Sequence, residues 1–275
     1  MNLLRFSICE KQVMKSLLPI KKLISEKRGV PFLTIAHRGA SYYAPENTLP
    51  AFEMAENMNA DAIEIDVTLS SDRVPVIFHD KIMDKKSNRT GLIIHRDLKY
   101  IKSADAGSWF SKKFKGTEIL TLEEFLGWVK GRIAVNIEIK KEVQILSPDI
   151  AAEEAIVNLV EKYGMSDHVF YSSFSYACVK KLKIIEKNNP VALLYDPKQM
   201  KGVGAAELVE RLGADLFNCS WREFGTRLRH ELQEKNIPVL VYTVNRPGRM
   251  KNLIKRGVNG IFSDRPDLLK KVVND

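Results

Sequence analysis

The sequence predicts an α/β fold, a closed (β/α)8 TIM barrel with a short insertion after its second strand. Three observations carry this expectation. Short β-branched runs alternate with helix-length segments from residue 31 onward, the mark of parallel β/α units. Eight such runs can be counted, and the 245 residues they occupy match the ~250 typical of such a barrel. The 45% hydrophobic content of the 275-residue chain is enough for one sizeable core.

Residues 1–30 stand outside this rhythm. Arg5, Lys11, Lys15, Lys21, Lys22, Lys27 and Arg28 face only Glu10 and Glu26, so this stretch carries +5 of the formal net charge of +9. Val13, Leu17, Ile20 and Ile24 recur at helical spacing among the lysines, and Pro19 bends or restarts the helix. The segment reads as a basic amphipathic N-terminal extension. Packing on the barrel or on a second subunit of a homo-oligomer is the first expectation for it, and contact with a membrane surface the second. No apolar run approaches the ~20 residues of a membrane crossing, and no signal-peptide pattern is present. The remaining +4 is spread without a basic stripe interleaved with aromatics, which argues against nucleic acid as a partner. Cys9, Cys178 and Cys219 lie far apart, without C-x-x-C spacing, so neither a disulfide framework nor a thiolate metal site is expected. A reducing, cytoplasmic compartment fits them.

The strands follow in order from residue 31 to 275, a single barrel domain. FLTIA (32–36) and AIEIDV (62–67) open it. PVIF (75–78) comes next with no helix between, across the polar turn Ser70-Ser71-Asp72-Arg73, and should return as a hairpin partner of the second strand. A turn centred near residue 72 would bring His79 level with the neighbourhood of Asp66. The polar segment from Lys81 to about Leu120 then becomes an insertion (81–120), broken up by Gly91, Gly107 and Gly116. IAVNIEI (133–139), HVFYSS (168–173), VALLY (191–195), ADLFNC (214–219), IPVLVYTV (237–244) and GIFS (260–263) complete the eight. Thr121-Leu122-Glu123-Glu124 reads as a capping box, and Asn245-Arg246-Pro247 and Asp264-Arg265-Pro266 each as an N-cap followed by a first-turn proline.

In a barrel the carboxyl ends of the strands form the active face. Side chains alternate along a strand, so Glu64 and Asp66 share one face while Ile63, Ile65 and Val67 take the other. The third barrel strand repeats this with Asn136, Glu138 and Lys140. His37, Arg38 and Glu46 join from the first unit, where the run ends in His37-Arg38-Gly39 and Gly39 lets the backbone turn, and His79 joins from the hairpin. Crowded carboxylates resist ionisation unless a cation sits among them. Oxygen donors without cysteine suit one divalent cation, Ca²⁺ or Mg²⁺, although two histidines leave a transition metal open. The structural alternative is a salt-bridged layer with Lys140 and Arg38 as counter-charges. His37 and His79 permit one general acid and one general base, whereas His95, His168 and His230 read as structural. Arg38 and Lys140 make the site a cradle for an anionic centre such as a phosphoryl group.

These residues also carry a resemblance. HRG (37–39), PENT (45–48), EIDV (64–67), PVIFHD (75–80), DAGSWF (105–110), LTLEEFL (120–126), NIEIK (136–140), VYTVN and GVNGIFSDRP run in order over nearly the whole chain after the extension. The chain resembles the glycerophosphodiester phosphodiesterase family, close to its bacterial cytosolic members. The resemblance implies metal-dependent hydrolysis of glycerophosphodiesters to sn-glycerol 3-phosphate and an alcohol. It implies Glu64, Asp66 and Glu138 as metal ligands, His37 and His79 as the acid/base pair, Arg38 and Lys140 on the phosphate, and Glu46 beside the metal. It also implies attack by a glycerol hydroxyl on phosphorus, with a cyclic phosphate then opened by water.

Two departures bear on the alcohol. DKKSNRTG (84–91) stands where relatives commonly show an arginine and paired threonines, and Tyr242 stands where a tryptophan is frequent. Three rival readings remain. One is a phospholipase D or lysophospholipase D that grips a lipid with exposed residues such as Trp109 and Phe110. Another is a catalytically silent phosphodiester-binding barrel. The last, a metal-dependent isomerase or aldolase, gives no reason for the histidine pair with its Arg and Lys cradle.

Overall fold

The computed structural model describes residues 32–147, 149, 151–199 and 202–275, so the basic extension lies outside the described residues. The described elements run β1 (Leu33–His37), α1 (Leu49–Asn57), β2 (Ala62–Leu69), β3 (Pro75–Ile77), α2 (Leu98–Lys102), α3 (Leu122–Val129), β4 (Ala134–Ile139), α4 (Val143–Leu146), α5 (Ala151–Lys162) and β5 (Val169–Ser173). They continue with α6 (Tyr176–Ile185), β6 (Val191–Leu194), α7 (Ala205–Leu212), β7 (Leu216–Ser220), α8 (Thr226–Glu234), β8 (Val239–Tyr242), α9 (Pro247–Lys255), β9 (Gly260–Ser263) and α10 (Pro266–Asn274).

Eight parallel strands follow the order β1-β9-β8-β7-β6-β5-β4-β2, and the pairing of β1 with β2 closes the ring. The TIM barrel expected from the eight β-branched runs is therefore present. The extra run forms β3, which pairs antiparallel with β2 outside the ring, with Val67 opposite Ile77 and Leu69 opposite Pro75. This register centres the turn on residue 72. Phe78 N donates to Asp66 O at 2.9 Å, so the chain re-enters the barrel mouth at His79, as expected.

Alternation sorts the core. Leu33, Ile35, Phe170, Leu216, Leu240 and Phe262 point inward and fill the barrel with small Ala62, Ala134 and Ala192 between them. Ile63, Ile65, Val67, Ile137 and Ile139 point outward into the layer shared with the helices. The insertion has an apolar cluster of its own, built from Phe78, Met83, Ile93, Ile94, Ile101 and Ile119. That cluster lets a polar segment hold a fixed shape beside the mouth.

Thr121 and Glu124 form the expected capping box at the start of α3. The other two expected caps differ. The N-cap positions of α9 and α10 are Arg246 and Arg265, neither with a side-chain cap bond, and a proline follows each. Asn245 and Asp264 sit one residue earlier and bond to each other across the mouth, Nδ2 to Oδ2 at 2.5 Å. A first-turn proline leaves one fewer donor to cap, which frees both side chains for the site. Gly39 has φ +81°, and a Cβ there would lie 2.7 Å from the Ala51 carbonyl carbon of α1. Close approach to the helix, as well as the turn, makes glycine necessary there. Among the described residues no helix is long and apolar enough to cross a membrane.

Candidate active site

The inward positions above the apolar filling carry the charged residues. Register places His37 beside Glu64, Glu64 beside Asn136 and Asp66 beside Glu138 on neighbouring strands. His37, Arg38, Glu64, His79, Asn136, Glu138 and Ser172 line one cleft of about 230 Å³, and Phe174, Leu194, Tyr242, Thr243 and Phe262 form its other wall. The sequence-derived residues thus converge on the carboxyl ends of the strands.

Each histidine is held by a carboxylate. His37 Nδ1 lies 2.7 Å from Asp264 Oδ1, and Ser41 Oγ donates to the same oxygen at 3.1 Å. His79 Nδ1 lies 2.8 Å from Asp80 Oδ1. A carboxylate is an acceptor only, so Nδ1 is the donor and Nε2 is the nitrogen left to exchange a proton. Burial opposes the Asp264 charge, but the hydrogen bond from His37 and its charge outweigh burial and hold the carboxyl below its usual range.

Arg38 leaves β1 in the left-handed region, φ +56°, which is uncommon for a residue with a side chain and marks a constrained position. Its backbone N–H donates to Glu64 Oε2 at 2.8 Å, and Nη1 donates to Glu46 Oε1 at 3.0 Å. Nε lies 3.1 Å from Asp66 Oδ2, but its N–H is not aimed at that oxygen, so the contact is an ion pair and not a hydrogen bond. Lys140 Nζ donates to Asp66 Oδ1 at 3.1 Å and to Glu138 Oε1 at 2.8 Å. Burial works against both cations, yet the surrounding carboxylates, Asp66 first, outweigh it and hold both firmly protonated.

The neighbouring carboxyls of β2 are driven apart. Burial opposes the charge of Asp66, but Lys140 and Arg38 outweigh it, with smaller help from His79 and a hydrogen bond from Asn47, so Asp66 stays ionised far below the usual range. Burial pushes Glu64 well above that range, repulsion from Asp66 and Glu138 adds to it, and Arg38 offsets only part. Glu64, Asp66 and Glu138 each offer an oxygen within 4.8 Å of the others. Three converging carboxylates with no sulfur donor fit a hard divalent cation. Glu46 lies outside this cluster, engaged by Arg38 and by Lys86, whose Nζ is 3.1 Å from Glu46 Oε2.

Tyr242 stands in the apolar wall. Its ring is edge-on to Phe174 at 6.1 Å and to Phe262 at 6.4 Å, and burial pushes its phenol well above the ordinary value, which keeps it a neutral donor. Trp109 and Phe110, read from the sequence as exposed, are half-buried. Trp109 Nε1 donates to Ala106 O at 2.7 Å, and the two rings pack edge to face at 5.6 Å. Their neighbours in the insertion cover them.

Four contributors escaped the sequence reading: Asp264, Asp80, Asn47 and Lys86. Asn47, buried and at φ +58°, donates from Nδ2 to Asp66 Oδ2 at 2.8 Å. Asp80 and Asp264 each had a signal, a carboxylate placed directly after a site-bearing run. Lys86 had none beyond its charge.

Comparison with known proteins identifies the family. A family model described as the glycerophosphoryl diester phosphodiesterase family matches residues 37–268. A glycerophosphodiester phosphodiesterase of Caldanaerobacter subterraneus subsp. tengcongensis is 34% identical over 242 residues, covering 88% of this chain and 97% of that one. One of Bacillus subtilis is 32% identical over 260 residues, covering 87% and 86%. The structure of an Oleispira antarctica phosphodiesterase in complex with the product sn-glycerol-3-phosphate superposes with a TM-score of 0.80 at 27% identity, covering 88% of this chain and 96% of that one. With the family match spanning nearly the whole barrel and the relatives similar end to end, the chain belongs to the glycerophosphoryl diester phosphodiesterase family and is a phosphoric diester hydrolase.

Proposed function

We propose that this chain hydrolyses glycerophosphodiesters to sn-glycerol 3-phosphate and an alcohol, with His37 and His79 as the acid/base pair. The observation that carries the reading is that both histidines of the cleft are pinned through Nδ1 by a carboxylate, beside Arg38 and Lys140. Structural histidines have no need of that shared arrangement. One Nε2 takes the proton of the attacking glycerol hydroxyl while the other gives a proton to the departing alkoxide. The roles then reverse as water opens the cyclic phosphate, so each imidazole ends as it began. Arg38 and Lys140 orient the phosphoryl oxygens and oppose their charge. Glu64, Asp66 and Glu138 would hold one divalent cation, Ca²⁺ or Mg²⁺, which when bound supplies Lewis-acid stabilisation of the phosphoryl charge. Tyr242 and its aromatic neighbours exclude water from the other side of the cleft.

The test is a panel of glycerophosphodiesters and lysophospholipids, each assayed with and without chelator for released sn-glycerol 3-phosphate. Release from soluble diesters that stops on chelation supports the reading. Cleavage of lysophospholipids alone would move the activity to the phospholipase D type. Binding without turnover in the presence of metal would leave a silent phosphodiester sensor.

A further inference from the structure

The charged residues of the mouth form a chain in which signs alternate. Lys86 contacts Glu46, Glu46 contacts Arg38, Arg38 contacts Asp66, Asp66 contacts Lys140, and Lys140 contacts Glu138. Only the first member comes from the insertion. Lys86 is not a loose surface cation. Its side chain is 27% exposed and that of Glu46 15%, and the ammonium lies 3.9 Å from the centre of the Trp109 ring. The recess that Lys86 lines with Asn47, His79 and Ala106 is small, with about 10 Å³ of free volume.

The insertion is built to hold it there. Asp105 gathers the N–H groups of Gly107, Ser108 and Gly116, which fixes the turn carrying Trp109. Asn88, two residues beyond Lys86, exchanges hydrogen bonds with Asp105: its N–H donates to Asp105 O at 3.1 Å, and its Oδ1 accepts the Asp105 N–H at 2.8 Å. The ring and the ammonium that rests on it are therefore parts of one hydrogen-bonded frame.

We infer that Lys86 is a positioning residue for phosphate recognition, a role that rests on the hydrolase reading above. With Oε2 held by Lys86, Glu46 meets Arg38 through Oε1 alone, at 3.0 Å on Nη1. Nε is buried against Asp66, so Nη2 is the part of the guanidinium fork left for an anionic ligand. Without Lys86, both carboxylate oxygens are free to close on the fork, and Glu46 becomes a competitor of the phosphate. The expected consequence falls on binding of the anionic phosphate and not on proton transfer, because neither histidine touches this chain of contacts through a hydrogen bond of its own.

The experiment compares wild type, Lys86→Met and Lys86→Arg in steady-state kinetics on a soluble glycerophosphodiester and in calorimetric binding of sn-glycerol 3-phosphate, with melting temperatures alongside. Lys86→Met should raise both KM and the Kd of sn-glycerol 3-phosphate by roughly 10-fold with kcat within about 2-fold of wild type, and Lys86→Arg should restore most of the loss. Unchanged KM and Kd would overturn the proposal, and so would a fall in kcat and melting temperature with Kd intact, the signature of a merely structural lysine. Should Lys86→Met not fold, Lys86→Gln keeps length and a donor without the charge and is read the same way. A wild-type chain that neither turned over the diester nor bound sn-glycerol 3-phosphate would overturn the functional reading itself, and this inference would fall with it.

Discussion

His37 Nδ1 and Asp264 Oδ1 are 2.7 Å apart although 227 residues separate them in the chain. The contact crosses the seam where β1 pairs with β9, so a carboxylate that follows the last strand orients the imidazole that ends the first. Asn245 steadies that carboxylate from the β8 side, donating from Nδ2 and accepting the Asp264 N–H at 2.9 Å on Oδ1.

Asp264→Asn should therefore act through His37. The amide keeps the volume but no longer stabilises an imidazolium or enforces the Nδ1–H tautomer. We expect kcat to fall by roughly 10²–10⁴ with a folded, monodisperse protein, the typical contribution of general acid–base catalysis. Steady-state kinetics with a far-ultraviolet spectrum checks this. Unchanged kcat would leave Asp264 as a hinge of the seam only.

Glu64→Gln and Asp66→Asn should both abolish divalent-ion binding and turnover, yet differ in stability. Glu64 is a carboxyl that burial already pushes toward its neutral form, so its amide should leave chelator-treated protein about as stable as wild type. Asp66 pairs with both Arg38 and Lys140, and its loss leaves these buried cations with one carboxylate partner each, Glu46 and Glu138, a cost of up to about 3–5 kcal/mol. Urea unfolding in chelator, with calorimetric titration of Ca²⁺ and Mg²⁺, separates the two outcomes. Equal destabilisation by both substitutions would contradict the charge assignment.

Gly39→Ala should destabilise the fold without any change of charge. The new Cβ meets the Ala51 backbone at 2.7 Å in a residue already at φ +81°. Left-handed backbone and overpacking together should cost about 2–4 kcal/mol in urea unfolding. A neutral result would mean that α1 can shift away from the HRG turn.

Asp196 supplies a pH-dependent term. Hydrogen bonds from Lys141 and then Gln199 outweigh a small burial penalty and pull its carboxyl down to about 2. A folded pKa below the unfolded value of about 3.9 gives stability that is complete above that value and is lost as pH falls through about 2. Wild type should then melt above Asp196→Asn at pH 7, and the gap should close between about pH 4 and pH 2. A gap independent of pH would show that Lys141 and Gln199 gain nothing from the charge.

Much of this was legible from local pattern. AIEIDV and NIEIK place three carboxylates on the inward face because side chains alternate along a strand, and that rule needs no tertiary information. The Ser70–Arg73 turn placed His79 for the same reason. Asp264 and Asn245 were misread as helix caps because capping is also a local rule, and nothing nearby in sequence reveals that a residue across the seam will claim the side chain. Lys86 entered the sequence reading only as part of DKKSNRTG, with no role of its own. Its burial depends on Trp109 folding over it, a contact between residues 23 apart whose pattern has no period. Trp109 and Phe110 were read as exposed for the same lack of a period.

The two walls of the cleft come from different stretches of the chain. Histidines, carboxylates and cations arrive on β1, β2, the β3 hairpin and the end of β4, whereas Phe174, Leu194, Tyr242 and Phe262 come from β5, β6, β8 and β9. Chemistry and recognition can therefore drift separately over evolutionary time. A lineage that exchanges β5 and β6 for those of a cousin inherits a different apolar wall, while His37, His79 and the Asp264 that follows β9 stay in place. New diets become reachable by shuffling rather than by reinvention.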